Sequence, residues 1–313
     1  MRAFIIGAAG FVGGHLMDEM LRLGYVVGVS KMPQEKIDKP GVEVYDLDIL
    51  NPEQLSDVLG AFAPDYIVHL AAQSSVALSW KNPALTIDVN VKGAANVLEA
   101  IRALPKKPRV LLIGSGEQYG HVRESECPIG EENALRPGNI YAATKVCQDM
   151  LGKIYAEAYG LDVMMVRAFN HVGPGQHPMF VVASFCKQVA EIEAGLCDPS
   201  LKVGNLSAKR DFTDVRDVVR AYALLLQKGR GGQIYNVGSG KALAICELLE
   251  KIVSLSPAKI SVEVDASRLR PVDIPVIEAD ISKLHQDTGW RPEIPLTKTL
   301  ADTLAYWREA VRP

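Results

Sequence analysis

Arg2-Ala3-Phe4-Ile5-Ile6, followed at once by Gly7-Ala8-Ala9-Gly10-Phe11-Val12-Gly13, is the stretch on which the fold turns. A short apolar run bounded by glycine reads as a buried strand, and the amphipathic residues 11–23 read as a helix. Gly7, Gly10 and Gly13 at this spacing permit a tight turn, close approach of the backbone to a pyrophosphate, and packing of helix on strand. Phe11 and Val12 open the helix, where free N–H groups and the positive end of the dipole face a phosphate. A dinucleotide-binding loop is therefore expected.

The same rhythm runs outward along the chain. Apolar runs at residues 3–6, 26–29, 66–70, 110–113 and 163–167 alternate with helical stretches at 11–23, 52–62 and 83–103. Strands without polar alternation, separated by helices, indicate a parallel sheet covered on both faces. The fold class is α/β, a doubly wound parallel sheet of Rossmann type. After His171 helical pattern dominates (residues 179–194 and 215–227), interrupted by a strand-like run at 233–237 that is expected to return to the main sheet. The reading is a dinucleotide-binding domain from 1–170 plus about 232–242, and a smaller, mostly helical substrate lobe from about 171–231 plus 243–313.

Composition narrows the class. The chain has 313 residues, 48% of them apolar, enough for a sizeable core. Net charge is −3 and no basic run stands out, so neither nucleic acid nor a membrane surface is an expected partner. The five cysteines have no paired spacing and read as reduced thiols, each a small buried hydrophobe. No metal site is expected. The chain opens into a strand-like run rather than a signal peptide, and a cytoplasmic protein is the expectation.

Chemistry concentrates at two places. Tyr141-Ala142-Ala143-Thr144-Lys145 heads an amphipathic helix, and residues four apart share a face. An ammonium beside a phenol favours the phenolate and is expected to draw the Tyr141 pKa from about 10 toward neutrality. Such a phenol can exchange a proton with a sugar oxygen during hydride transfer. Ser115 follows the buried run 110–113, and its hydroxyl can bond the same oxygen. The second strand ends in Ser30-Lys31, without the carboxylate that would bind a ribose 2′-hydroxyl. Lys31 meets a 2′-phosphate in one reading and only solvent in the other. The first favours NADP(H), with NAD(H) as the alternative cofactor.

Glycine loop, Ser115, Tyr141 and Lys145 together resemble the extended short-chain dehydrogenase/reductase family, over the whole chain. Asp48-Ile49 is similar to that family's adenine-contacting pair. His69-Leu70-Ala71-Ala72-Gln73 matches its fourth-strand end, which implies cofactor contacts at Leu70, Ala71 and Ala72, while Lys145 would also bond the nicotinamide ribose. Asn90-Val91-Lys92-Gly93 through Asn96-Val97-Leu98 matches its helix motif. The second half resembles members that act on GDP-mannose derivatives. Residues 167–176 look like their lobe entry, with Asn170 near a phosphate. Asn205 and Lys209-Arg210 lie in a loop like their nucleotide-contacting one, and Arg270-Pro271-Val272-Asp273 with Gly289-Trp290-Arg291-Pro292 resembles their closing segment. Arg210 and Arg270 could supply charge-assisted bonds to a nucleoside diphosphate, or make surface ion pairs.

The resemblance implies a homodimer formed through helices at 83–103 and 141–159. It also implies reduction of a GDP-4-keto-6-deoxyhexose at C4. A GDP-mannose 4,6-dehydratase or another nucleotide-sugar epimerase is the alternative, and a non-catalytic dinucleotide sensor the remote one. Ser115-Gly116-Glu117 bears on that choice. The related dehydratases carry an aspartate or serine where Gly116 stands, and dehydration needs an acid there for the departing C6 hydroxyl. Glu117 is retained and could act as a C5 base or touch substrate, or be a solvated turn residue.

Overall fold

The computed structural model describes residues 1–268 and 274–312. In chain order the first half runs β1 (Arg2–Ile6), α1 (Phe11–Arg22), β2 (Val26–Lys31), β3 (Val42–Asp46), α2 (Pro52–Phe62), β4 (Tyr66–His69), α3 (Val76–Lys81), α4 (Pro83–Ile87), α5 (Gly93–Ala103), β5 (Arg109–Ile113), α6 (Ile140–Tyr159) and β6 (Val163–Ala168). The second half runs β7 (Asn170–Val172), α7 (Val181–Glu193), β8 (Ser200–Val203), β9 (Lys209–Asp214), α8 (Val215–Lys228), β10 (Ile234–Val237), β11 (Ala242–Ala244), α9 (Ile245–Val253), β12 (Ser261–Val264), β13 (Val276–Ile277), α10 (Ser282–Thr288) and α11 (Leu296–Ala310).

Seven strands form one sheet in the order β10-β6-β5-β4-β1-β2-β3. All its pairings are parallel. The run at 233–237 thus supplies an edge strand, β10, beside β6. β3 was not anticipated. It is an edge strand with mostly exposed side chains, so it lacks the apolar run that marks a buried strand. The expected helix over 83–103 is in fact α4 and α5 joined by a π-helical turn at Asp88–Lys92.

β1 illustrates how both faces are filled. Ala3 and Ile5 enter one core, with Leu16 and Met20 of α1 and Leu225 of α8. Phe4 and Ile6 enter the other, with Leu55 and Leu59 of α2 and Val97 and Ile101 of α5. Side chains of a strand alternate faces, so a sheet buried on both sides needs apolar residues at every position. Local signals set the helix ends. Asn51 caps α2, accepting from the N–H groups of Glu53 and Gln54 at 3.1 and 3.2 Å, with Pro52 in the first turn. Asn139 caps α6 by accepting from the Ala142 N–H at 2.8 Å, and Gly160 ends it in the left-handed conformation.

The lobe core gathers Phe185, Cys186 and Val189 of α7, Leu248 and Ile252 of α9, and Leu300, Leu304 and Trp307 of α11. Two small sheets, β11-β9-β13 with β7 on β9, and β12-β8, line it. Two elements of the stretches read as lobe pack instead against the main sheet's core. α8 does so through Val218, Tyr222 and Leu225, and the tail through Leu284 and the fully buried Trp290. All five cysteines are free, but only Cys186 is fully buried, while Cys147 and Cys197 are exposed, which corrects the reading of each as a buried hydrophobe. Among the described residues no helix is long and apolar enough to cross a membrane.

Candidate active site

The strand order reverses between β1 and β4, whose carboxyl ends bound a crevice. Ligands of such sheets bind there. Gly7 has φ +80°, and a Cβ on it would stand 2.5 Å from the Ala71 backbone. A Cβ on Gly13 would stand 2.1 Å from the Ala8 carbonyl oxygen. Only glycine permits this turn to close on β4 and α1 to start against it. Gly10 has open space beside it and caps α1 without a side-chain acceptor, so the first-turn N–H groups face outward. The loop is pinned from β2, since Gly7 N–H donates to the Ser30 hydroxyl at 3.0 Å and Ala8 N–H to the Ser30 carbonyl at 2.8 Å. This cradle, which a Cβ would fill, fits a dinucleotide pyrophosphate at the start of α1.

Around it, Phe11 stacks on His171 with ring centroids 6.0 Å apart, and Val12 packs on the sheet core. Leu70 and Ala71 N–H groups both donate to the Ile6 carbonyl at 2.9 Å, which brings Ala72 past the end of β1. Asp48 turns its carboxylate back to the Leu50 N–H at 2.9 Å, and Ile49 is buried against Gly93. Lys31 is ion-paired with Asp46 of β3, so a 2′-phosphate would share that ammonium with a carboxylate.

The reacting groups meet beyond β5. Ser115 starts a 3-10 turn over Gly116–Tyr119, its hydroxyl accepting from the Glu117 N–H at 3.2 Å. The Tyr141 phenol is buried in the first turn of α6 and faces the Ser115 hydroxyl. Burial pushes this phenol up to about 12; the Ser115 hydroxyl pulls it back and the Glu117 charge adds to the rise. Lys145 is buried, donating to the Ile113 carbonyl at 2.7 Å and to the Gln148 amide oxygen at 3.0 Å. Burial lowers its ammonium to about 8, against the pull of Asp149. The expectation that Lys145 draws the phenol toward neutrality is therefore corrected. The ammonium is spent on Ile113 and Gln148, and desolvation of a phenolate outweighs what remains.

A cleft beside these groups is lined by Ser115, Glu117, Phe169, Asn170, Arg210 and Ile277. Gly116 also lines it, facing the Phe169 ring. Glu117 accepts from the Asn139 amide at 3.4 Å. Arg210 donates to the carbonyls of Lys209 and Ile274 at 2.8 and 2.7 Å. The structure thus brings Ser115, Glu117, Tyr141, Asn170 and Arg210 together. Asn205 is occupied by its own turn, accepting from Ser207, and Lys209 is exposed at the start of β9; neither lines this cleft. Arg270, with Pro271, Val272 and Asp273, lies outside the described residues.

Several residues of the site carried no role in the sequence reading. Gln118 and Asp149 are buried around Ser115, and Asn90, in the π-helical turn, donates to Thr144 at 2.9 Å and to the Gln73 carbonyl at 3.1 Å. His69 is buried with both ring nitrogens unpartnered among the described residues. Burial, and then the Lys145 charge, push it down to about 3, so it is neutral. Asp149 alone left a sequence signal, its place four residues after Lys145 on one helix face.

Glycine cradle, serine, tyrosine and lysine on one doubly wound sheet have counterparts in known proteins. A family model described as GDP-mannose 4,6 dehydratase matches residues 4–303. The chain belongs to this family, within the extended short-chain dehydrogenases/reductases. It is 35% identical to the GDP-6-deoxy-D-mannose reductase of Pseudomonas aeruginosa, covering 99% of this chain and 98% of that protein. It is 32% identical to a UDP-glucose 4-epimerase of Mycolicibacterium smegmatis, covering 98% and 99%. Among solved structures, RMD from Pseudomonas aeruginosa complexed with NADPH superposes with a TM-score of 0.88 at 34% identity, covering 99% and 100% of the two chains.

Proposed function

We propose that the protein is an NAD(P)H-dependent nucleotide-sugar 4-ketoreductase. It reduces the 4-keto group of GDP-4-keto-6-deoxy-D-mannose to a GDP-6-deoxyhexose of the GDP-D-rhamnose type, with NADPH as the main cofactor. One observation carries this choice within the family. Beside Ser115, where an acid would have to protonate a leaving C6 hydroxyl, stands Gly116, which has no side chain. Positioned proton delivery is worth about 10²–10⁴-fold, so a dehydratase could not spare it. A 4-keto reduction expels no hydroxide and does not need it.

The nicotinamide, when bound, supplies the hydride. The chain's own groups do the rest. Ser115 and Tyr141 hydrogen-bond the carbonyl oxygen at C4, and Tyr141 hands its proton to that oxygen as it becomes a hydroxyl. Burial keeps Tyr141 in the phenol form at neutral pH, which is the form a reductase needs. The Lys145 ammonium then favours the phenolate left behind. Arg210 and Asn170 hold the diphosphate end of the substrate in the cleft, with Arg270 as a further contact. The protein acts in the cytoplasm as a homodimer. Exposed Trp80, Ile87, Met150 and Ile154 on α3, α4 and α6 support an apolar contact between copies.

Glu117 lines the same cleft and favours the dehydratase as the second reading, because it could take a proton from C5. Two incubations separate them. GDP-4-keto-6-deoxymannose with NADPH or NADH should consume reduced cofactor stoichiometrically and give a GDP-6-deoxyhexose. GDP-mannose with oxidised cofactor should give no keto product. Sustained dehydration in the second incubation would restore the dehydratase, and Glu117→Gln should then abolish it.

A further inference from the structure

The Ser115 turn is tied through Gln118 to a buried carboxylate on the helix that carries Lys145. Asp149 lies one turn after Lys145 on α6, and its side chain is 4% exposed. Its Oδ2 accepts from Gln118 Nε2 at 2.7 Å and from Arg167 Nε at 2.9 Å. Gln118 turns its amide oxygen to the Ser115 N–H at 2.8 Å. Arg167 holds the same turn from behind, donating to the Tyr119 hydroxyl and the Glu131 carbonyl, both at 3.0 Å. Lys145 reaches the same loop through the Ile113 carbonyl, two residues before Ser115. The second oxygen, Asp149 Oδ1, has no hydrogen-bond partner among the described residues and faces Gly114, where a Cβ would stand 3.2 Å away. An ion pair serving Arg167 alone would be satisfied by Oδ2 and would not extend to Ser115.

We propose that Asp149 is a positioning residue, coupling the charge of Lys145 to the backbone of Ser115 through one buried carboxylate. This rests on the reading of Ser115, Tyr141 and Lys145 as the reacting groups. Among the described residues, Gln148 and Asp149 act on Lys145 from its own helix, the Ile113 carbonyl from β5 and neutral His69 from β4. Arg167, from β6, points its charge at Asp149, and Glu117 stands on the Tyr141 side. Asp149 is thus the anion that opposes the burial of Lys145. Without it nothing opposes the burial of Lys145, and its ammonium must lose the proton at lower pH.

The test follows the Lys145 titration directly, by NMR of full-length protein labelled at the lysine ε-carbons, with and without NADPH; Lys145→Met assigns the signal. In Asp149→Asn the midpoint should fall by about one pH unit or more. The basic limb of kcat/KM for keto-sugar reduction should move with it, and Asp149→Glu should restore both. An unchanged Lys145 midpoint in Asp149→Asn overturns the proposal. Should that variant not fold, Gln118→Met decides, because it cuts the link to Ser115 without stranding a charge. It should lower kcat about tenfold with little change in KM, whereas parental kcat overturns the proposal. If the parent enzyme reduces no keto-sugar, the functional reading falls, while the titration still judges Asp149.

Discussion

At the scale of single residues, Tyr141 and Lys145 divide the proton chemistry. Tyr141→Phe removes only the transferred proton, so kcat should drop by roughly 10²–10⁴-fold while dinucleotide Kd stays near the parent value. Steady-state kinetics and fluorescence titration measure the two; near-parental kcat would remove Tyr141 from its role. The parent's pH profile has a sign set by Lys145. The ammonium is the working form and its pKa is lowered to about 8, so kcat/KM should fall as pH rises through that value. A flat profile up to pH 10 would exclude the lysine as the titrating group. Arg210→Ala should raise KM for the GDP-sugar about ten- to a hundredfold, the cost of one charge-assisted bond, with dinucleotide affinity unchanged. Unaltered KM would return Arg210 to tying β9 to the chain at Ile274.

At the scale of elements, the cofactor site is a relation between β1, α1 and β2 rather than a set of side chains. Gly13→Ala would push a methyl into the Ala8 carbonyl, 2.1 Å from the ideal Cβ, so the start of α1 must shift. NADPH Kd should weaken by more than about tenfold, since the first-turn N–H groups move with it. Wild-type affinity in that variant would contradict the placement of the pyrophosphate. The end of β2 governs cofactor choice. It offers Ser30 and Lys31 without a carboxylate of its own, and Lys31 is shared with Asp46 of β3. kcat/KM with NADPH should at least equal that with NADH, and Asp46→Asn should widen the preference by freeing the ammonium. A strong NADH preference would show that Lys31 belongs to Asp46 alone.

At the scale of the molecule, the C-terminal tail fastens lobe to sheet. Trp290 is fully buried in the sheet's core, and its indole N–H donates to the Asp217 carbonyl at 3.0 Å. The Asp217 carboxylate accepts from the Glu293 and Ile294 N–H groups at 2.9 and 2.8 Å. Trp290→Ala should cost about 3–5 kcal/mol in urea unfolding, a large fraction of a domain's stability. A loss under 1 kcal/mol would mean that the tail adds little to the fold. By resemblance the sequence read this segment as a closing segment of the lobe, and nothing local could say which core the indole enters, because that depends on how α8 and the tail pack side by side on the sheet.

The sequence by itself determined the doubly wound sheet, because strands buried on both faces must read as unbroken apolar runs, as β1, β4, β5 and β6 do. It likewise determined the glycine cradle and the helical spacing of Tyr141 and Lys145, both local backbone properties. Edge strand β3 was hidden because half-exposed polar residues carry no such signature. Only the tertiary structure decided the electrostatics of the site. Burial, not the neighbouring lysine, sets the Tyr141 phenol. Gln118, Asp149 and Arg167 come from three elements and meet only when β5, β6 and α6 pack, so no spacing in the chain announces them. Desolvation depends on every atom around a group, and that is information the linear order of residues does not hold.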